Sequence, residues 1–499
     1  MNYSLGPEEA WDPLPASAWD AAAAKHLLRR VCWTAVPDQA AYALRIGLPA
    51  TLGDLFPNQA PVLREPDEVA QYGRGLPSDI ERARSAAPAE RRQIQRETRE
   101  RGQRALQELA VRWLAYAADP ACSSYAKWVL FLSNLYVVGA DKVQDPDLIF
   151  RHFDILGRYG LAPAPLLAKA VLRSPAMMIY LDINQNRREA PNENFAREFF
   201  ELFSLGIGHY TEHDIKESAR ALTGYRYDRM TDEVLFIERQ HDWGPKTIFG
   251  ETGDFDGDSM IDLTFKQRAA GARVPQKMVE FYLSDTPLPD EYLYALGDRW
   301  RTEGAYSLDW LVKRFFGSRL FFAPEFRGEF IKSPAQYYLG LIQDLRLNVI
   351  PLPRFVVYPM RQMGQALFYP PNVRGWVGGH HWIDSATLSA RRTVVELLFT
   401  PLDEGRLNAD EQAVLASAHA AGTDRFEVDD LRLQAFADAA PAEAVARLQD
   451  EFLPLSLEPG LASALEAYLA ASGNDTGARL QRVRRAAITV FESPVYQLC

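Results

Sequence analysis

Cysteine is scarce in this chain: three occur in 499 residues, at Cys32, Cys122 and Cys499. They are too few and too scattered for a disulfide framework, and no CxxC or Cys/His cluster suggests zinc. The expectation is two core cysteines and one free terminal one. A basic excess is also lacking. Lys and Arg number 55 against 66 Asp and Glu, a net charge of −11, which argues against general binding to nucleic acid. No run approaches the roughly 20 apolar residues of a spanning helix. The opening, MNYSLGPEEAWDPLPASAWD, has neither a basic start nor an apolar run, so no secretory signal is read and a cytoplasmic protein is expected. GxSxG, Walker A, HExxH and a dinucleotide fingerprint after a strand are all missing. Nucleotide chemistry and elbow-type serine hydrolysis are set aside on that ground.

What is present suits a globular chain with a large core: 47% hydrophobic and 24% charged residues. Helical periodicity dominates. Residues 1–18, rich in Pro, Ala and acid, read as a poorly ordered arm. Trp19 to Val31 reads as a helix, with His26 as a packing residue inside it. The Arg-rich stretch from Arg82 to Arg104 interleaves glutamates, the pattern of a solvated helix with weak ion pairs. Tyr125 to Val138, YAKWVLFLSNLYVV, reads as a buried core helix. EVLFIERQ and KTIFG read as two strands of a hairpin around His241-Asp-Trp-Gly-Pro245. Gly253 to Asp258 resembles part of a calcium loop but lacks its closing glutamate, so helix capping is the better reading. The fold expected is mainly α. A large multi-helix domain covers 19–401, with a small inserted β-hairpin near 233–250. An acidic, Ala-rich helical segment covers 402–475, and 476–499 supplies a last helix that completes the domain.

The densest signal lies between Pro191 and Arg226. Asn192 to Leu205 reads as an amphipathic helix capped by Asn192 or Asn194. Glu193, Asn194, Arg197, Glu198 and Glu201 line its polar side, and phenylalanines line the other. Thr211 to Asp214 is a near-match to a capping box, with Asp in place of Glu. Glu198 and Glu201, three apart, could bind a divalent metal with help from a histidine, or divide acid and base work. The alternative is a packing network with Arg197 and Arg220. His241, Asp242 and Lys246 could converge on an anion, a metal or a carboxylate, or simply form a turn. The loop from Pro370 to Trp382 carries Asn372, Arg374, Trp376, His381 and Trp382. On extended backbone His380 and His381 point to opposite sides, so at most one faces a pocket. Its tryptophans suit a sugar- or ring-stacking surface, or core plugs.

Taken together, NENFAREFFELFSLGIGHYTEHDIKESARALTGYR, HDWGPKTIFG, GDFDGDSMIDL, MGQALFYPPNVRGWVGGHHWI and the terminal ESPVYQL resemble the bacterial domain-of-unknown-function 1800 (DUF1800) family. KHLLRR near the N-terminus fits as well. The resemblance implies a largely helical protein. It also implies a partner resembling the domain-of-unknown-function 1501 family and an exported or envelope setting. Family members commonly carry a Phe-Trp-His-Asn-His-Phe-like run in the core helix. Here the matching residues are Phe131, Leu132, Ser133, Asn134, Leu135 and Tyr136, and both histidines are gone. The function expected is therefore an accessory or binding protein acting with a partner, with a degenerate version of the family site. The alternative is a metal-assisted hydrolase or oxidoreductase, with Glu198, Glu201 and His241 holding a divalent metal.

Overall fold

A computed structural model describes residues 5–471 and 476–499. The chain is mainly α, with two small antiparallel sheets. At its centre lies the helix Ser123–Leu135. Every position of this helix is buried except Asn134, which is half-buried. A helix that is apolar all round belongs in the interior, which is where its Trp, Leu, Val and Phe side chains put this one. Around it pack the helices Ala21–Val31, Pro88–Ala118, Pro146–Tyr159 and Arg268–Tyr282. Phe131 stacks on Trp128 at 4.9 Å and meets Phe281 and Tyr282 at 5.4 and 5.8 Å.

The polar groups of this central helix are satisfied by backbone from its neighbours. Trp128 Nε1 donates to the Gly160 carbonyl at 2.8 Å, and the Tyr125 hydroxyl donates to the Gly157 carbonyl at 2.5 Å. Lys127, 3% exposed, donates to the carbonyls of Arg30 and Cys32 at 2.6 and 2.9 Å. Its ammonium also lies 5.6 Å from the ring centroids of both Trp33 and Tyr282. Just past the helix, the Tyr136 carbonyl accepts from Nε2 of buried His152 at 2.9 Å. His26 is the packing residue expected, buried against Phe321 and Phe322 with Nε2 donating to the Phe321 carbonyl. All three cysteines are free and buried.

Three expectations need correction. Residues 5–18 are no loose arm: Pro7–Ala10 is a short helix, and Trp11 is fully buried against Phe315, with Nε1 donating to the Tyr292 carbonyl at 2.7 Å. Arg299 adds ion pairs to Glu8 and Asp12. One buried indole outweighs the loop-like composition around it. Residues 1–4 of that arm lie outside the described residues. The two strands near 233–250 form, but not with each other. Glu233–Phe236 pairs with Tyr225–Asp228, and Lys246–Ile248 pairs with Glu251–Gly253. The segment between them turns into a short 3₁₀ helix, Glu238–Gln240, which separates the two hairpins. Asn192 to Leu205 is not one regular helix either. An α turn, Asn194–Glu198, continues into a π turn, Phe199–Ser204.

The segment 402–475 holds the helices Ala409–Ala420, Asp430–Ala437, Pro441–Phe452 and Pro459–Ala470, and residues 472–475 lie outside the described residues. It joins the same contiguous core through Phe436 and Phe452, and Phe452 meets Phe491 of the Thr476–Glu492 helix at 4.9 Å. The terminal ESPVYQL run closes the molecule. Tyr496 and Thr34 both donate to the buried carboxylate of Asp344, at 2.7 and 2.8 Å.

Lys127 gives this core a pH signature. Burial pushes its pKa from the ordinary 10.5 down to about 7. Below pH 7 both folded and unfolded chains hold the proton. Above it the folded state releases the proton first, so the unfolded state binds more protons and stability rises with pH. Lys332, lowered to about 8 by burial, acts in the same direction, whereas buried Cys32, raised to about 11, opposes it only above its ordinary 9.0. Urea unfolding followed from pH 7 to 9 should therefore show a steeper gain in stability for the native chain than for Lys127→Met. Parallel slopes would refute this reading.

Candidate functional site

The polar exception in the central helix, Asn134, makes a paired contact with a distant loop. Its Oδ1 accepts from the Trp376 amide at 2.7 Å, and its Nδ2 donates to the Trp376 carbonyl at 3.2 Å. A side-chain amide matches a peptide group in this way only when the loop comes very close. Gly375 permits the approach. Its φ is +79°, and a Cβ there would collide with the Asn134 side chain. Within the loop, Asn372 holds a tight turn, with Oδ1 accepting from the Arg374 amide at 2.9 Å.

Under this loop lies a cavity of about 440 Å³. Leu130, Phe131 and Leu135 of the central helix form its floor, and Phe281, Trp376 and Trp382 form its apolar walls. The rim carries charge in internal pairs: Lys277 with Glu280 at 2.7 Å, His380 with Asp285 at 3.0 Å and Arg374 with Glu201 at 3.4 Å. His380 and His381 both line the cavity, because Gly379–Trp382 is a 3₁₀ turn and not the extended backbone expected. Trp382 is 7% exposed and Trp376 half-buried, so the tryptophans are both wall and plug.

Glu201 is the link between this cavity and the marker stretch. It sits in the π turn, pairs with Arg374 and accepts from the Tyr210 hydroxyl at 3.3 Å. Glu198 lies beside it, its pKa raised by burial and by the Glu201 charge, with Arg374 and Arg197 opposing. The packing network is not the one expected. Arg197 pairs with Glu193 and Glu212, and Arg220 with Glu217 and Asp242. Asn192 and Asn194 serve locally: Asn192 Oδ1 accepts from the Asn194 amide, and Asn194 Nδ2 reaches Asp182 at 3.3 Å. Neither side chain caps the helix, whose N-cap is Glu193. The capping box at Thr211 and Asp214 does form, as does the Asp256 cap in the acid-rich loop.

The proposed metal set is not assembled. His241 is 2% exposed, its ring packed on Phe236 and Trp243, with Nδ1 donating to the Thr223 carbonyl at 2.8 Å. These neighbours are separate from those of Glu198 and Glu201. Asp242 grips Arg220 through two bonds of 2.7 and 3.1 Å, and Lys246 is fully buried with Nζ on the Gly244 carbonyl. The HDWGPK run is thus a clasp on the Glu212–Ala221 helix. Among the described residues no group of three or more His, Cys, Asp and Glu side chains is placed to hold a metal ion.

A family model described as "Protein of unknown function (DUF1800)" matches residues 26–498. The chain belongs to the DUF1800 family. No curated protein and no solved structure matches it. The DUF1800 match runs through the Arg-rich stretch and through 402–475, where the motifs thin out. Among the described residues of this DUF1800 protein, no helix is long and apolar enough to cross a membrane.

Sequence reasoning missed four residues that matter at this site. Asn134 was visible as the one amide in an apolar run. Gln365 lies inside MGQALF, one of the quoted motifs. Gln336 and Asp285 carry no local signal. Replacing Asn134 by alanine removes both loop hydrogen bonds and leaves two peptide groups short of partners, a loss of about 1–3 kcal/mol. The Asn134→Ala chain should melt lower, and hydrogen exchange should rise across 372–382 before it rises in the Ser123–Leu135 helix. Uniform exchange in both segments would show that Asn134 does not clamp the loop.

Proposed function

We propose that this DUF1800 protein is a non-catalytic binding protein that acts with a partner, and that the cavity under the 370–382 loop is its ligand site. The observation that carries this reading is the cavity floor. At the two positions where relatives commonly carry histidine, Ser133 has its hydroxyl on the Leu130 carbonyl and Leu135 presents an apolar surface to the cavity. An enclosed space of this size, mostly apolar with a few placed polar groups, is the usual form of a small-molecule site. Among the acid–base groups nearby, Glu280, Asp285 and Glu201 are held in rim pairs, and Lys127, which also lines the cavity, is held on backbone carbonyls. A partner resembling the DUF1501 family and an exported setting belong to the same proposal, on the strength of the family alone.

The test uses an apolar fluorescent probe, 8-anilinonaphthalene-1-sulfonate, titrated against the full chain. One saturable site is expected, with energy transfer from tryptophan. Val377, 60% exposed and lining the cavity, can take a larger side chain without strain on the core. Val377→Trp should weaken probe binding at least about tenfold at unchanged melting temperature. Unchanged affinity would remove the cavity from the reading. Metal analysis tests the non-catalytic part: a stoichiometric transition metal, lost from Glu198→Ala and Glu201→Ala chains that still melt normally, would overturn it.

A further inference from the structure

Two buried glutamines meet at the cavity. Gln336 and Gln365 are each 2% exposed, and both line it. Gln336 Nε2 donates to the Arg29 carbonyl at 2.7 Å. A carbonyl can only accept, so the orientation of this amide is set and Oε1 is left over. Gln365 Oε1 accepts from the Ala335 amide at 3.0 Å. A backbone N–H can only donate, so this side chain is also set and Nε2 is left over. Neither Gln336 Oε1 nor Gln365 Nε2 has a protein partner among the described residues. The two side chains are neighbours, because the amide that orients Gln365 belongs to the residue before Gln336. The cavity therefore holds one free acceptor and one free donor, each on a buried side chain that lines it.

Both atoms stay accessible from the cavity, so a bound molecule can reach them. Here they form the complement of a group that carries an acceptor and a donor together. The charges around them do not ask for an ionic ligand. Lys277 pairs with Glu280, Asp285 lies 3.0 Å from His380 Nδ1, and Lys127 spends its Nζ on the Arg30 and Cys32 carbonyls. The remaining wall is aromatic, from Phe131, Phe281, Trp376 and Trp382. A flat or apolar face beside the amide would pack there.

We propose that the cavity selects an uncharged ligand bearing an amide, whose carbonyl accepts from Gln365 Nε2 and whose N–H donates to Gln336 Oε1, with an adjoining ring or apolar face against the tryptophans. This inference rests on the cavity being a ligand site. The same chemistry occurs in an acetamido sugar and in a carboxamide or peptide group beside an aromatic ring.

Competition with the bound fluorescent probe separates the cases. Two neutral pairs serve: N-acetylglucosamine against glucose, and 3-phenylpropanamide against methyl 3-phenylpropanoate. The amide member of at least one pair should displace the probe at least about tenfold more tightly than its amide-free mate. Which pair discriminates identifies the sugar or the carboxamide source. Gln365→Glu keeps the acceptor for the Ala335 amide but replaces the free donor with a second acceptor. It should reduce the preference to under about threefold, each competitor being referred to the variant's own probe affinity. Gln336→Leu should do the same from the other side, with melting temperature as the control for the lost bond to Arg29. Probe binding with no amide preference in either pair, or a preference untouched in Gln365→Glu, overturns the inference and leaves the binding site standing. Loss of probe binding at the cavity altogether overturns both.

Discussion

The whole molecule is arranged around a helix with almost no solvent face. Inside Ser123–Leu135 every polar side chain must find a partner in the protein, because water is not there to supply one. The neighbouring chain is brought in accordingly. The end of the Ala21–Val31 helix delivers two carbonyls to Lys127. The C-terminal end of Pro146–Tyr159, at Gly157 and its C-cap Gly160, delivers two more to Tyr125 and Trp128. The 370–382 loop docks the N–H and the carbonyl of one residue, Trp376, on Asn134. Segments more than 200 residues apart in sequence are fixed against one another by groups that have no other place to go.

This dependence explains which features could be read from the sequence. The apolar run YAKWVLFLSNLYVV announces a core helix, because burial follows from composition. The caps at Asp256 and Thr211 could be read because capping is a local matter of one side chain and the next turn. Pairing was not legible. Glu233–Phe236 and Lys246–Ile248 were visible as strands, but which strand each meets depends on the 3₁₀ turn between them. The arm at 5–18 was misread for a related reason. A single tryptophan decides its fate, and the pocket that receives Trp11 is built by residues nearly 300 positions away. Gln336 and Gln365 are the extreme case. Nothing local marks them, since their meaning lies in the partners each has and the one each lacks.

The marker stretch has a different role from the one its charges suggest. On a regular helix Glu198, Glu201 and Arg197 would form one polar face. The π turn at Phe199–Ser204 breaks that regularity and seats Ser204 on the Phe199 carbonyl at 2.6 Å. Such turns recur at functional sites because they re-aim one side chain without ending the helix. Here the re-aimed residue is Glu201, which reaches Arg374 at the rim of the cavity. Arg197 turns the other way and ties the stretch to Glu212 at the start of the next helix. Acids that read as a catalytic pair remain neighbours, with Glu201 paired to Arg374 and Glu198 within reach of both charges.

Ser133 and Leu135 acquire their meaning from the same geometry. A histidine at either position would place a titratable ring in or beside the cavity floor. Serine is bonded to its own helix, leucine faces the space, and Lys127 of the same helix, its pKa lowered by burial to about 7, also lines the cavity. Asn134 between them holds the loop that walls the cavity. The helix that forms the core therefore also shapes the floor of the space. What remains to discriminate among ligands is a donor, an acceptor and aromatic surface, all held on buried, well-packed elements. A site so composed can recognise a molecule by shape and hydrogen bonding, and that is the chemistry of binding.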